Sequence, residues 1–222
     1  MIHIYTCCNE PTEFQSPICE SAPMAAYQRS PNQPGFQVDR DKKCRLSGGE
    51  YFAKSAIGHY CNTTPGTLVI ERDGRGKPFC SGPQNAIHFN LSHSGRWIVC
   101  AVARRTLGID IQKMTSLSAP QKKALSQKIL TEDEHRHYAA LPDSEQSEFL
   151  YRTFSMKESC VKAVGLGLEI PFSIITLQEE KNYFTWEYRT TQYFIREYFP
   201  DPEYKLFLCS TQRSVAEIQS LQ

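Results

Sequence analysis

Two neighbouring segments before the middle of the chain carry the pattern of a β-hairpin, and this pattern excludes an all-helical fold. Apolar and polar residues alternate over residues 87–92, which is typical of a strand with one buried face. Ser94 and Gly95 predict a turn, and the apolar run at residues 97–103 predicts a fully buried second strand. We therefore expect a β-sheet in the first half of the chain.

The remaining periodicity mixes helices with strands in both halves, apart from the first 40 residues, which show little pattern. Helical spacing predicts helices over residues 48–60, 120–130, 133–140 and 147–164. Strand patterns cover residues 68–71, 107–111, 173–177, 183–188, 192–199 and 204–210. This mixture predicts the α+β class.

Charge is balanced over the whole chain but not between its halves. The net charge of +1 gives no bulk electrostatic attraction for nucleic acid or anionic lipid. Residues 1–107 carry a formal charge of +4 and residues 108–222 a charge of −3. Opposite signs on the two sides of residue 107 would suit a cleft with a phosphate-binding wall and a metal-binding wall; chance variation of the surface charge is the alternative.

Nothing in the sequence predicts a membrane or secreted protein. The longest apolar run has seven residues, whereas a membrane-spanning helix needs about 20. Residues 1–10 lack the pattern of a signal peptide. The nine cysteines form no Cys-x-x-Cys pair, which favours reduced thiols in the cytoplasm over a disulfide framework.

Three short stretches could carry chemistry. On a strand, Asp110 and Gln112 point to the same side and could begin a Mg²⁺ site; a half-exposed edge strand is the alternative. On a helix, Glu158 and Lys162 share one face and could bind a metal and a phosphate. A surface ion pair, or a capping box made by Ser155 and Glu158 at a helix start, explains the second stretch equally well.

The third stretch is the predicted hairpin tip. Ser92, His93 and Ser94 gather hydrogen-bond donors beside Arg96, so the tip could bind a phosphate, although a plain turn explains it as well.

Taken together and in order, these motifs resemble the 4′-phosphopantetheinyl transferases of the larger, single-chain, pseudo-dimeric type. The resemblance covers roughly residues 45–210 and is strongest at residues 89–95 and 155–162. It rests on Gly-Lys-Pro, Phe-Asn-Leu-Ser-His-Ser-Gly, Gly-Ile-Asp-Ile-Gln and Phe-Ser-Met-Lys-Glu-Ser with Lys-Ala-Val-Gly-Leu-Gly-Leu.

The resemblance implies both a fold and a reaction. Two similar α+β subdomains are expected, residues 1–107 on the coenzyme A phosphate side and residues 108–222 on the Mg²⁺ side. They would be related by a pseudo-two-fold, with coenzyme A in the cleft between them. Such enzymes move the phosphopantetheine arm of coenzyme A onto a serine of an acyl or peptidyl carrier protein and release 3′,5′-ADP. The carrier could serve fatty-acid, polyketide or nonribosomal-peptide synthesis, and a cytoplasmic monomer is the expectation.

The resemblance also implies a metal site and a base. Asp110 and Glu158 match the two central Mg²⁺-binding carboxylates. Gln112 stands where this family type usually has Glu, so we expect weaker metal binding. Glu158 is the candidate base for the carrier serine, directly or through a water molecule. Glu134 is the other candidate catalytic carboxylate, although residues 131–134 also match a helix capping box.

The remaining expectations concern binding. Lys162 matches the lysine that meets the pyrophosphate and could steady the leaving group. Contacts with coenzyme A are implied for Arg45, Lys77, Pro78, Ser92 and His93, with Lys42 and Lys43 as possible helpers of Arg45.

The carrier protein should dock near residues 120–137, where Lys122, Lys123 and Lys128 could meet its acidic side chains. Two other functions remain open at this point. One is a non-catalytic coenzyme A- or carrier-binding protein with a decayed metal site. The other is a metal-dependent hydrolase of nucleotides or coenzyme A.

Overall fold

The computed structural model describes residues 1–8, 40–198 and 201–221, without the side chains of residues 40–47 and 168. This part of the chain forms helices and strands in both halves, so the predicted α+β class is confirmed. None of its helices combines the length and apolarity needed to cross a membrane. The helices are α1 (Arg40–Cys61), α2 (Ala119–Ile129), α3 (Glu132–Ala140) and α4 (Asp143–Val164). The strands are β1 (Ile2–Cys8), β2 (Val69–Arg72), β3 (Pro78–Ser81), β4 (His88–Ser94), β5 (Trp97–Ala103), β6 (Leu107–Lys113), β7 (Gln178–Glu179), β8 (Phe184–Tyr188), β9 (Thr191–Tyr198), β10 (Tyr204–Ser210) and β11 (Glu217–Ser220).

The strands form two larger sheets and a two-stranded ribbon. The first sheet has the order β11-β1-β5-β4, the second has the order β6-β10-β9-β8-β7, and β2 pairs with β3. The predicted hairpin is confirmed as β4 and β5, which pair antiparallel with Ser94 opposite Trp97. Gly95 in its turn has a φ of 52°, in the left-handed region that favours glycine.

Apolar packing places a helix on the outer face of each sheet. The first sheet packs on α1 through residues such as Ile57 and Phe89. The second packs on α4 through residues such as Phe154 and Phe207. A third buried cluster joins β1 and β5 to β6 and β10, so the two sheets bury apolar surface against each other. α4 also lies over β6, where Ser155 Oγ donates to the backbone carbonyl of Asp110 at 3.0 Å.

Polar side chains of β4 connect the two sheets along their edges. Asn90 Oδ1, Ser92 Oγ and Ser94 Oγ accept hydrogen bonds from the backbone N–H groups of Ile109, Ile111 and Lys113, at 3.0, 3.2 and 2.9 Å. The other edge of β6 pairs with β10. We call these three hydrogen bonds the side-chain ladder. The polar residues that alternate along β4 therefore bond the backbone of β6 instead of facing solvent.

Three predicted elements are wrong in detail, the first being α1, which begins at Arg40 rather than at residue 48. A strand was expected over residues 173–177, but Phe172–Ile174 form a 3-10 turn, and strand pairing begins only at β7. The buried side chains there, Phe172 and Ile175, are three residues apart, which is a helical spacing. Helix α4 begins at Asp143 rather than at residue 147. The capping box proposed for residues 155–158 is therefore also wrong, since they lie in the interior of α4.

Strands β1 and β11 lie where no strand was predicted, and they bear on the division of the chain at residue 107. β11 pairs in parallel with β1, with His3 opposite Glu217. The first sheet therefore includes a strand from the far end of the sequence. The two subdomains and their pseudo-two-fold relation stay predictions.

Gly108 tests the close packing of β6 on α4. A Cβ at this position would overlap the backbone of α4 at Ser159 and Ala163. We expect Gly108→Ala to lower the free energy of unfolding by about 3 kcal/mol, because a rigid helix backbone cannot move aside. Urea unfolding followed by circular dichroism measures this loss. Gly66→Ala is the matched control, since nothing lies within 4 Å of its added methyl group. Equal losses in both variants would contradict the close approach.

Candidate active site

Asp110 is the centre of a buried polar cluster on β6. Its side chain is only 2% exposed, in the middle of the strand that the side-chain ladder holds. Oδ1 accepts hydrogen bonds from Ser92 Oγ at 2.9 Å and from Lys162 Nζ at 2.6 Å. Oδ2 accepts one from Gln112 Nε2 at 2.9 Å. The structure thus brings four of the predicted site residues into direct contact.

Lys162 reaches this cluster from the last turn of α4. Besides Asp110, its ammonium group donates to Ser92 Oγ at 3.1 Å and to the Ile109 carbonyl at 3.3 Å. Gly165 ends the helix with a φ of 80°. A lysine in the last turn of a helix is also favoured by the helix dipole. Lys162 is therefore fixed as the positive charge of the site.

Glu158 lies one turn before Lys162 and is the carboxylate that the cluster does not satisfy. Its Oε2 is buried and has no hydrogen-bond partner in the described part of the chain. Burial raises the pKa of Glu158 to about 7, the Lys162 ammonium opposes this rise, and the Asp110 carboxylate adds to it. Two carboxylates thus share one lysine, and one of their oxygens lacks a donor.

This arrangement fits a divalent cation of the Mg²⁺ type. Magnesium is commonly held by one or two carboxylates, with water and substrate phosphates completing its six ligands. Asp110 and Glu158 supply two carboxylates, and the unpartnered oxygen of Glu158 is a free ligand. Among the described residues, no group of three or more His, Cys, Asp or Glu side chains could hold a metal alone.

Gln112 and Ser92 make hydrogen bonds within the protein that the sequence did not predict. Gln112 turns its amide nitrogen, not its oxygen, toward Asp110. Ser92 donates to Asp110 and accepts from Ile111 N and Lys162 Nζ. A hydroxyl offers one donor and two acceptor positions, so that of Ser92 is fully used. A contact between this hydroxyl and a coenzyme A phosphate would require one of these bonds to break.

The other predicted ligand-binding residues lie around this cluster. Lys77 Nζ donates to the carbonyls of Lys162 and Ala163 at 2.8 and 3.1 Å, beside the end of α4. Burial lowers the pKa of Lys77, while Asp73 opposes the shift. Pro78 begins β3 next to it. His93 is exposed on β4, opposite Ile98.

The side chain of Arg45 lies outside the described residues, as do those of Lys42 and Lys43. Their predicted contacts with coenzyme A therefore stay predictions.

Glu134 occupies a different environment from Asp110. It closes the capping box of α3 by accepting from the Thr131 N–H at 2.7 Å. It also pairs at 2.6 Å with the ammonium of Lys157, whose side chain is fully buried. That ammonium donates further to the carbonyls of Ile129 and Phe172. The capping-box interpretation is confirmed, and the catalytic role of Glu134 stays a prediction.

The basic cluster proposed for docking needs one correction. Lys122 is buried, and its ammonium donates to the carboxylate of Asp143 at 2.7 Å. It cannot meet a partner protein in this state. Lys123 and Lys128 are exposed on α2. A docking surface here therefore has two lysines instead of three.

Sequence reasoning missed the side-chain ladder and the buried Lys157. The ladder had a signal, because Asn90, Ser92 and Ser94 recur with the period of a strand. Lys157 had none, because a lysine inside a helix normally points to solvent.

Two family models match the chain. The model of the 4′-phosphopantetheinyl transferase superfamily matches residues 106–209. The model described as 4′-phosphopantetheinyl transferase, N-terminal, matches residues 28–105. Together they include every residue of the cluster around Asp110.

Curated relatives point the same way at modest identity. A Bacillus subtilis protein named 4′-phosphopantetheinyl transferase is 28% identical over 201 residues, which cover 85% of this chain and 88% of the relative. The 4′-phosphopantetheinyl transferase Sfp of Bacillus subtilis strain 168 is 29% identical, covering 76% and 75%. The L-aminoadipate-semialdehyde dehydrogenase-phosphopantetheinyl transferase of Xenopus laevis is 28% identical, covering 84% and 67%.

A substitution at Glu134 separates its structural role from a catalytic one. Glu134→Gln removes the charge that compensates the buried ammonium of Lys157, so we expect a loss of about 3 kcal/mol in the free energy of unfolding. Glu132→Gln, at an exposed position of the same helix, should change it by less than about 0.5 kcal/mol. Thermal and urea unfolding measure both. Unchanged stability with a large loss of turnover would instead establish Glu134 as a catalytic residue.

Proposed function

This chain belongs to the 4′-phosphopantetheinyl transferase superfamily, and on that premise we propose that it transfers phosphopantetheine from coenzyme A to a carrier-protein serine with a divalent cation bound. The observation that carries the proposal is the cluster of Asp110, Glu158 and Lys162. It combines two carboxylates for a cation with one ammonium for a phosphate.

The reaction exchanges a phosphoanhydride bond of coenzyme A for a phosphoester bond to the carrier serine. The oxygen of the carrier serine attacks the phosphorus next to the pantetheine arm, and the bond from that phosphorus to the bridging oxygen of the pyrophosphate breaks. The leaving group is 3′,5′-ADP, and the serine loses its proton. The charges that develop lie on phosphate oxygens, so catalysis depends on positioning and on charge compensation.

Named residues meet each of these needs. Glu158 is the proposed acceptor of the serine proton, directly or through a water molecule, because burial raises the pKa of this carboxylate to about 7. Lys162 lies beside the carboxylates and compensates the negative charge of the leaving phosphate. Asp110 and Glu158 would hold Mg²⁺, which when bound supplies further charge neutralisation at the pyrophosphate.

The coenzyme A side of the site is proposed at the ribbon of β2 and β3 and at the tip of β4. Lys77 and Pro78 lie at the end of α4, and His93 is exposed on β4. Arg45 is a proposed further phosphate contact. A cytoplasmic location and a monomeric state stay predictions.

A decayed, non-catalytic binding protein is the less favoured alternative. Such a protein has no need to keep a costly buried charge cluster. Asp110, Glu158 and Lys162 are all present and in contact or adjacent, which supports the transferase. The hydrolase alternative predicts breakdown of coenzyme A without any carrier protein.

Intact-mass spectrometry of carrier proteins tests the proposed transfer. We expect an apo carrier incubated with the protein, coenzyme A and Mg²⁺ to gain the mass of one phosphopantetheine. Asp110→Asn and Glu158→Gln should each lower the rate by about 100-fold or more, because each removes a charge at the pyrophosphate.

Glu179→Gln, at an exposed position of β7, is the control for the charge change and should keep full activity. Circular dichroism must show that the site variants are folded. No adduct on fatty-acid, polyketide or peptide carriers with the unchanged protein would overturn the proposal.

The docking surface is tested by reversing the two exposed lysines of α2. Lys123→Glu combined with Lys128→Glu should raise the KM for an acidic carrier protein about tenfold and leave the KM for coenzyme A unchanged. The control, Arg104→Glu combined with Arg105→Glu, reverses two exposed charges in the turn between β5 and β6. Equal effects of the two pairs would show general electrostatic attraction rather than docking at α2.

A further inference from the structure

The contact between Gln112 and Asp110 is a feature that the proposed reaction does not explain. The two side chains lie two residues apart on the same face of β6, and their residues are 4% and 1% exposed. The Gln112 amide donates to Asp110 Oδ2 at 2.9 Å. It is the donor that the described residues provide for this oxygen, since Ser92 and Lys162 both bond Oδ1. The amide thus completes the hydrogen bonding of a buried carboxylate.

A buried carboxylate without its donors is costly, and it turns toward any donor within reach. The bonds to Oδ1 alone leave the carboxylate free to rotate about its last torsion. The bond from Gln112 to Oδ2 removes that freedom, because the two oxygens are then held from two sides. Asp110 is therefore fixed in one orientation before any cation binds.

A negatively charged side chain at position 112 could not do this. A carboxylate there has no proton to donate, and it would add a third negative charge beside Asp110 and Glu158. The lysine opposite it on β10, Lys205, is already engaged, since its ammonium bonds Glu148 at 2.6 Å and lies 3.8 Å from Glu197. Of the described residues, Lys162 is the cation that bonds this cluster, and it would have to compensate three carboxylates until a divalent cation bound.

We propose that Gln112 is a positioning residue, which holds the Asp110 carboxylate in its metal-binding orientation while the cation is absent. This inference rests on the proposed function, because it assumes that Asp110 is a cation ligand. Gln112 acts through Asp110 and touches neither the substrate nor the reacting atoms. The site is then formed in advance, and the cation binds without first ordering its ligand.

Gln112→Met is the decisive variant, because methionine keeps the length of the side chain and removes the donor. We expect unfolding in EDTA at a temperature lower by roughly 3–8 °C, since Oδ2 loses its bond. We also expect the Kd for Mg²⁺, by titration calorimetry with coenzyme A present, to rise by about tenfold, and the Mg²⁺ concentration for half-maximal turnover to rise with it. The KM for coenzyme A at saturating Mg²⁺ should not change.

Gln112→Glu is a second, independent test, because it should change the Mg²⁺ affinity in the direction opposite to Gln112→Met. It should also unfold at a lower temperature in EDTA, yet bind Mg²⁺ about tenfold more tightly, because it adds a ligand charge. Its melting temperature should therefore rise more on addition of Mg²⁺ than that of the unchanged protein. Gln192→Met and Gln192→Glu, at an exposed position of β9, are the matched controls and should change none of these values.

The direction in which Gln112→Met changes the Kd for Mg²⁺ decides whether the proposal holds. Tighter Mg²⁺ binding would show that the amide blocks the cation, and an unchanged Kd would show that Gln112 only stabilises the fold. Either result overturns the inference while leaving the transferase proposal intact, provided that the unchanged protein still modifies its carrier. Absence of Mg²⁺ binding and of transfer in the unchanged protein would instead overturn the proposed function itself.

Discussion

The side-chain ladder between β4 and β6 is the interaction on which the site depends. Each of these strands is the outermost one of its sheet, and an unpaired edge would leave backbone donors without partners. Side-chain oxygens of Asn90, Ser92 and Ser94 accept from those N–H groups of β6 that pair with no strand. Since β10 bonds the other edge, β6 is held on both sides, and the direction of Asp110 and Gln112 is set by the backbone.

The charge balance of the site follows from this fixed strand. Asp110 is satisfied by Lys162, Ser92 and Gln112, whereas Glu158 keeps a buried oxygen with no donor in the described residues. A protein selected for stability alone would not retain such an atom, because an unsatisfied buried group costs about 1–3 kcal/mol. An unsatisfied buried atom is expected at a site where a bound ligand supplies the missing partner.

The sequence predicted those parts of the fold and site that depend on local spacing. The period of two around Phe89 indicated the hairpin, and the spacing of Glu158 and Lys162 placed both on one helix face. Partners distant in the chain could not be foreseen: Lys122 looked exposed because its partner, Asp143, belongs to another helix. The same holds for β1, whose residues are largely buried on both faces and so carry no alternation. Ser92 was interpreted as part of a turn because its hydrogen-bond partners, in β6 and α4, lie far from it in the sequence.

The parallel pairing of β11 with β1 has a consequence for how the chain folds during synthesis. The strand beside residues 3–6 consists of residues 217–220, which leave the ribosome after every strand of the second sheet. The edge of β1 that β11 occupies can therefore gain this partner only after the strands of the second sheet have been made. Pairing between strands so far apart in sequence is slow, and until it forms β1 is held in its sheet by β5 alone among the described strands. The order of the strands thus makes completion of the first sheet a late event.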